Sequence, residues 1–265
     1  MSRTPRERAT ETGQEREQRS GAESSRKVLK ILTSFEPENP IATVDELARR
    51  VGIPMSSAYR YVALLREVGL LTEDGQGAYH LSPKVVRMAQ AARAAYGFLD
   101  LARPVMELLR DETAETVLLV RRVGDHAICL DRAESDQPIR LSFQIGTPQP
   151  LHKGSAAKIL LAWMPENEQR RYLDRVIATE ADFDPAALNR ELSEIRQSGW
   201  SSSAVQAIPD IWAAAAPIFE GNDVAAALAI AGPGFRIDDE KRAAILASTR
   251  GAAAQITDAL RQVSH

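Results

Sequence analysis

The sequence predicts two domains of different class. A small helical domain closed by a β-hairpin spans residues 24–82, and a larger α+β domain with an antiparallel sheet spans residues 99–265. Three observations carry this. Three short amphipathic stretches precede a glycine-rich turn set between two brief apolar runs. Farther on, two pairs of strand-like runs, each joined by tight-turn residues, flank a helical middle, which is the pattern of an antiparallel sheet. Between the domains lies a stretch without acidic residues, 83–98, read as a linker helix.

Residues 1–23 hold five basic and five acidic residues and almost nothing apolar, so they read as a disordered tail. From Ser24, the apolar positions Val28, Leu29, Ile31, Leu32 and Phe35 form a helical stripe until Phe35–Pro40 breaks the pattern. Thr43 followed by Glu46 is a capping box that opens a second helix, with Leu47, Ala48 and Val51 facing inward and Gly52 as its turn. A third helix begins near Pro54. It puts Ala58, Tyr61, Val62, Leu65 and Val68 on one face and Ser56, Ser57, Tyr59, Arg60 and Ala63 on the other. Asp74-Gly75 and Gln76-Gly77 then mark a hairpin.

Three helices and a hairpin in this order form a winged helix-turn-helix. Such a domain lays its third helix in the DNA major groove, N-terminal residues toward base edges. The candidate DNA contacts are Arg26, Thr43, Ser56, Ser57, Tyr59 and Arg60. Hydroxyls at a helix N-terminus suit phosphate, and arginine suits phosphate or guanine. Residues 24–98 carry ten Lys and Arg against seven Asp and Glu, whereas residues 99–265 carry eighteen against twenty-four, a division compatible with a nucleic-acid module on an acidic partner domain. The implied partner is double-stranded operator DNA. A winged helix that contacts protein instead, within a ligand-binding adaptor, is the alternative, and a steep salt dependence of DNA binding separates the two.

The larger domain reads as a helix over 104–113 after a boundary at Arg103-Pro104, then strands over 117–123 and 126–134 and an alternating strand over 139–146. Helices follow over 154–164, 166–177 and 185–198, a strand pair over 214–219 and 224–232, and a closing helix over 238–263. Ala225, Ala227, Ala229 and Ala231 recur with period two, which places small side chains on one sheet face. Gly154, Ser155 and Ala156 open a helix whose free N–H groups suit an anion.

Enzyme chemistry is not indicated. His152 and Cys129 have no third partner in the local pattern, Gly199-Trp200-Ser201-Ser202-Ser203 is not a nucleophile elbow, and four scattered histidines do not make a metal site. No cofactor and no metal are expected. The single cysteine and an N-terminus without an apolar core suggest a cytoplasmic protein, and no run approaches the ~20 apolar residues of a membrane span.

The runs 42–71, 24–32 and 79–86 resemble the helix-turn-helix, first helix and wing of the IclR family of regulators. Segments 115–132, 150–163, 199–219 and 224–233 are similar to that family's larger domain. The resemblance implies a GAF-like effector-binding domain and a small-molecule effector, with Ser203, Trp212 and Ala213 beside the ligand. With the residues read above, the effector site becomes Gly154, Ser155, Ala156, Ser203, Trp212, Ala213, Ala229 and Ala231. Few hydrogen-bonding side chains are expected there, so a small apolar or aromatic carboxylic acid is the expected effector. The resemblance also implies a homo-oligomer, a dimer or a dimer of dimers. The apolar side of the linker helix (Val85, Val86, Met88, Ala89, Ala92 and Ala95) is the candidate contact. Three positions depart from the family's habit: Ala157, Gln206 and Asp210.

Overall fold

The computed structural model describes residues 13–95, 97–204 and 210–263, and its contacts divide the chain into two units at 96/97. In the first unit, α1 (Gly13–Leu32), α2 (Val44–Val51) and α3 (Met55–Glu67) pack around Ile31, Leu47, Ala58, Val62 and Leu65. Strands β1 (Ile41–Thr43), β2 (Leu71–Glu73) and β3 (Ala78–Leu81) form an antiparallel sheet with β3 central. The helix α4 (Pro83–Ala95) follows.

The capping box is present: Thr43 N–H donates to Glu46 at 2.8 Å, and Glu46 N–H donates to the Thr43 hydroxyl at 3.3 Å. Asp74 Oδ1 accepts from the N–H groups of Gln76 and Ala78 and shapes the hairpin tip. Two expectations change. The first helix begins at Gly13 rather than Ser24, so part of the expected tail is helical. Gln, Glu and Arg, frequent in that stretch, are good helix formers. The rest of that expectation, residues 1–12, lies outside the described residues. Val68 is the C-cap of α3 and stays 43% exposed rather than joining the core face.

The second unit holds a six-stranded antiparallel sheet of order β6-β5-β4-β9-β8-β7. Its strands are β4 (Thr116–Val123), β5 (His126–Ala133), β6 (Pro148–Pro150), β7 (Ser201–Ala204), β8 (Ile211–Glu220) and β9 (Asp223–Pro233). One face carries α5 (Phe98–Thr113) and α9 (Asp239–Val263). The other carries α6 (Ser155–Ala162), α7 (Glu166–Thr179) and α8 (Pro185–Ser198), packed on Ile159, Leu161, Tyr172, Leu192 and Ile195.

The expected boundary at Arg103-Pro104 is absent, because Pro104 lies inside α5, which starts at Phe98 with Phe98 and Leu99 already buried. A proline within a helix costs about 3 kcal/mol, and burying Phe98, Leu99, Ala102, Met106 and Leu109 along one face offsets it. The expected strand over 139–146 is also absent. Its backbone is held by side chains instead. Thr116 donates to Leu141 O at 3.0 Å, Arg236 to Ile139 O at 2.5 Å and Arg132 to Phe143 O, and Gly146 N–H reaches Cys129 O at 2.9 Å. The alanine stripe is interrupted too. A bulge between Ile218 and Phe219 pairs Ala226 with Ile218 and Val224 with Phe219, so Ala225 leaves the stripe and Val224 packs on that core in its place.

Glu115, 1% exposed, is anchored just before the interior strand β4: Arg236 binds both its oxygens at 2.8 and 2.6 Å, and Lys241 adds a contact at 3.2 Å. Gly232 lies against this carboxylate.

Candidate functional site

In the first unit the candidate surface is the outer face of α3. Ser56, Tyr59, Arg60 and Ala63 are exposed and Ser57 is half-buried, while Ala58, Tyr61 and Val62 fill the core behind them. Arg60 rests on its neighbour: its guanidinium carbon is 5.2 Å from the Tyr61 ring centre, and Nη2 reaches the Tyr61 oxygen at 3.4 Å. A Ser24 hydroxyl bond, first, and Arg60, second, hold the Tyr61 phenol below the usual tyrosine range, tying α1 to α3. Ser57 N–H is bonded to Pro54 O at 3.0 Å, so the donors left for phosphate at this end come from the residues before it. The hydroxyl of Thr43 is taken up by the capping box, donating to Glu46 Oε2 at 3.0 Å, which leaves it poorly placed to serve DNA. Arg26 is exposed on α1.

In the second unit a cavity of about 310 Å³ opens between the sheet and the start of α6. Its floor is apolar, built from Leu118, Val120, Cys129, Ala213, Ala229 and Ala231. The strand register explains the floor. Ala229 pairs with Leu118 and Ala215, and Ala231 pairs with Ala213, so small residues from β8 and β9 meet on one face. Burial pushes the Cys129 thiol up to about 11, which keeps it protonated and a poor nucleophile. One wall is the N-terminus of α6, where Gly154 through Ala157 line the space. Gly154 sits at φ 88, ψ 152, a conformation that suits glycine, and no side chain caps the helix there. The first-turn N–H groups therefore have no intrahelical partner, at a helix end that lines the cavity.

Six of the expected effector residues, Gly154, Ser155, Ala156, Ala213, Ala229 and Ala231, come together here. Trp212 does not. It precedes Ala213 in a regular strand, so its side chain is on the opposite face, buried, with Ala214 and Ala216. Ser203 pairs with Ala213 across β7 and β8, and its side chain lies outside the described residues, as does Gln206. Asp210 adopts φ 65, where glycine is favoured and aspartate is tolerated. Sequence reasoning missed the rim. Ser142, Phe143, Gln144, Thr147 and Gln149 reach the cavity from the irregular segment after β5 and from β6, and Lys153 joins them from the turn before α6. The expectation of few hydrogen-bonding side chains thus holds for the floor and fails for the rim. Only the LHKGS turn carried a local signal, and it pointed to the N–H groups rather than to Lys153.

His152 is buried among partners distant in sequence: Nδ1 is 2.6 Å from the Tyr172 oxygen and Nε2 is 3.1 Å from Glu180. Cys129 is not among them. Among the described residues no group of three or more His, Cys, Asp or Glu is arranged to hold a metal ion, and no helix is long and apolar enough to cross a membrane.

Residues 24–75 match the IclR helix-turn-helix domain, and residues 91–258 match the bacterial transcriptional regulator IclR C-terminal domain. The chain belongs to the IclR family of transcriptional regulators. It is 32% identical over 236 residues to the HTH-type transcriptional regulator KipR of Bacillus subtilis, covering 87% of this chain and 94% of that protein. The structure of Thermotoga maritima IclR superposes with a TM-score of 0.72 at 24% identity over 90% of this chain and 99% of that one. An IclR homologue from Microbacterium hydrocarbonoxydans, solved in complex with 4-hydroxybenzoate, gives a TM-score of 0.78 at 22% identity over 90% and 99%. Membership in the IclR family makes the first unit a DNA-binding domain and the chain a transcription regulator.

On that domain, Arg60→Ala is expected to weaken operator binding by about 1–3 kcal/mol, the value of one lost bidentate base contact, with the fold unchanged because Arg60 is exposed. A gel-shift titration at fixed salt checks this, and equal affinities would remove Arg60 from the interface.

Proposed function

We propose that this IclR-family regulator binds operator DNA through α3, with Arg26, Ser56, Ser57, Tyr59 and Arg60 as contacts, and that a small apolar or aromatic carboxylic acid in the cavity of the second unit sets its DNA affinity. The observation that carries the effector half is the cavity itself: an apolar floor of alanines facing uncapped N–H groups at the start of α6. Those N–H groups accept an anion without a buried counter-charge. About 310 Å³ is at the small end of ligand pockets and favours a small molecule. Phe143, rather than Trp212, is the aromatic ring available to a ligand. The 4-hydroxybenzoate of the Microbacterium protein is a ligand of this class, which supports the reading.

Regulation follows from linkage. An acid that binds one arrangement of the chain more tightly than another shifts the population between them, and with it DNA affinity. This reading involves no catalytic step and places the chain in the cytoplasm with its DNA. Titration calorimetry tests the ligand class. Aromatic or short aliphatic acids are expected to bind and hydroxylated sugar acids to bind poorly, because buried hydroxyls left unpaired on the alanine floor cost about 1–3 kcal/mol each. The reverse preference would contradict it.

One recognition helix reads too few base pairs for operator specificity, so the working form is a dimer or a dimer of dimers. Val86 and Met88 on α4, 60% and 53% exposed in the single chain, are the proposed contact. Light scattering at micromolar concentration is expected to give at least a dimer mass, and a monomer mass with and without DNA would refute it.

A further inference from the structure

Lys153 sits where two cavities meet. It lines the effector cavity and also a second one of about 490 Å³, shared with His152, Phe183 and Glu191. Among the described residues lining the effector cavity it alone carries a formal charge. Its Nζ donates to Glu180 Oε1 at 3.0 Å, and His152 Nε2 lies 3.1 Å from the same oxygen.

The surrounding bonds determine which protons are where. The Tyr172 oxygen accepts from the His152 backbone N–H at 3.3 Å and has His152 Nδ1 at 2.6 Å as acceptor for its own proton. Burial lowers the His152 pKa, so the ring is neutral. With Nδ1 accepting, Nε2 carries the proton and donates it to Glu180. Glu180 therefore holds two donors on one oxygen and keeps one if the other departs. Its carboxyl is held below the usual range, first by the Lys153 bond. The Lys153–Glu180 pair is exposed at 43% and 37%, the kind of ion pair that contributes little and exchanges readily. Lysine is a point charge on a flexible four-carbon stem, suited to such an exchange.

From this geometry we infer that Lys153 is a specificity-determining residue of the effector site: an entering carboxylate takes Lys153 Nζ from Glu180, while the Nε2–H of His152 keeps Glu180 in place. The inference rests on the proposed reading of the cavity as an acid site. It adds that ligand charge is read by an exchanged ion pair. Helix N–H groups alone also serve a neutral amide oxygen, so they separate acids from amides less sharply.

Calorimetric titration of the full chain with acetate, butyrate, benzoate and 4-hydroxybenzoate, each beside its primary amide, tests this. In the wild-type chain the acid binds more tightly than the amide. In Lys153→Gln that preference is expected to fall about tenfold, the scale of one charge-assisted hydrogen bond, with amide affinity unchanged. Lys153→Arg keeps the preference. In Glu180→Gln the acid binds more tightly, because Lys153 is no longer held back, whereas a merely structural Glu180 would give weaker binding. An unchanged acid preference in Lys153→Gln overturns the inference and leaves the effector reading intact. Failure of every acid to bind the wild-type chain overturns both.

Discussion

Gly232→Ala is expected to destabilise the effector-binding unit by about 3 kcal/mol. A Cβ on Gly232 would lie 2.4 Å from Glu115 Oε2, 2.6 Å from its carboxyl carbon and 2.9 Å from Ile237 Cδ1. The carboxylate is 1% exposed and held by Arg236 and Lys241, so it has nowhere to retreat without breaking those bonds. Arg236 and Lys241 retain solvent access of 21% and 34%, which keeps the loss below that of a fully enclosed pair. For a unit of this size the melting temperature should fall by about 8 °C. Glu115→Ala in the same chain removes the obstacle, so the double variant should lose less than the sum of the two single losses. Additive losses in thermal melts would show that the close approach of Gly232 to Glu115 is not the cause.

Ala229→Leu is expected to abolish the effector response while leaving operator binding in the absence of acid within about twofold. Ala229 is 3% exposed, sits between Leu118 and Ala215 in the sheet, and forms part of the cavity floor. A leucine there projects into empty space rather than into packed neighbours, so the fold tolerates it and the ligand does not. The comparison is the ratio of operator affinities with and without saturating acid, about tenfold for the wild-type chain and near one for the variant. A wild-type ratio in a variant with a wild-type circular dichroism spectrum would move the effector out of this cavity.

Much of this was legible because it is local. The Thr43–Glu46 capping box and the Asp74-Gly75 hairpin are written in a few adjacent residues, and the structure has both of them. The alanine stripe was legible as a period but not in its phase. Ala213, Ala229 and Ala231 leave room for a ligand, while Ala214 and Ala216 on the opposite face lie under α9, and a single bulge decides where Ala225 goes. Segment 139–146 alternates like a strand, yet Arg132, Arg236 and Thr116 supply its backbone partners from far along the chain. A one-dimensional pattern cannot anticipate bonds of that kind. The same is true of His152, whose partners Tyr172 and Glu180 come from α7 and its C-cap, and of Lys153, whose place on the rim depends on where β6 ends. Trp212 was misplaced for a simpler reason: adjacent strand residues cannot share a face.

The central claim is that an acid bound in the second unit changes the DNA affinity of the first. Fluorescence anisotropy on a duplex selected from a random pool by the full chain measures it directly, titrated with and without the acid that calorimetry identifies. The account predicts an affinity that falls steeply with salt, as phosphate contacts require, and that shifts at least about fivefold with saturating acid. Identical binding curves with and without an acid that demonstrably occupies the cavity would contradict it.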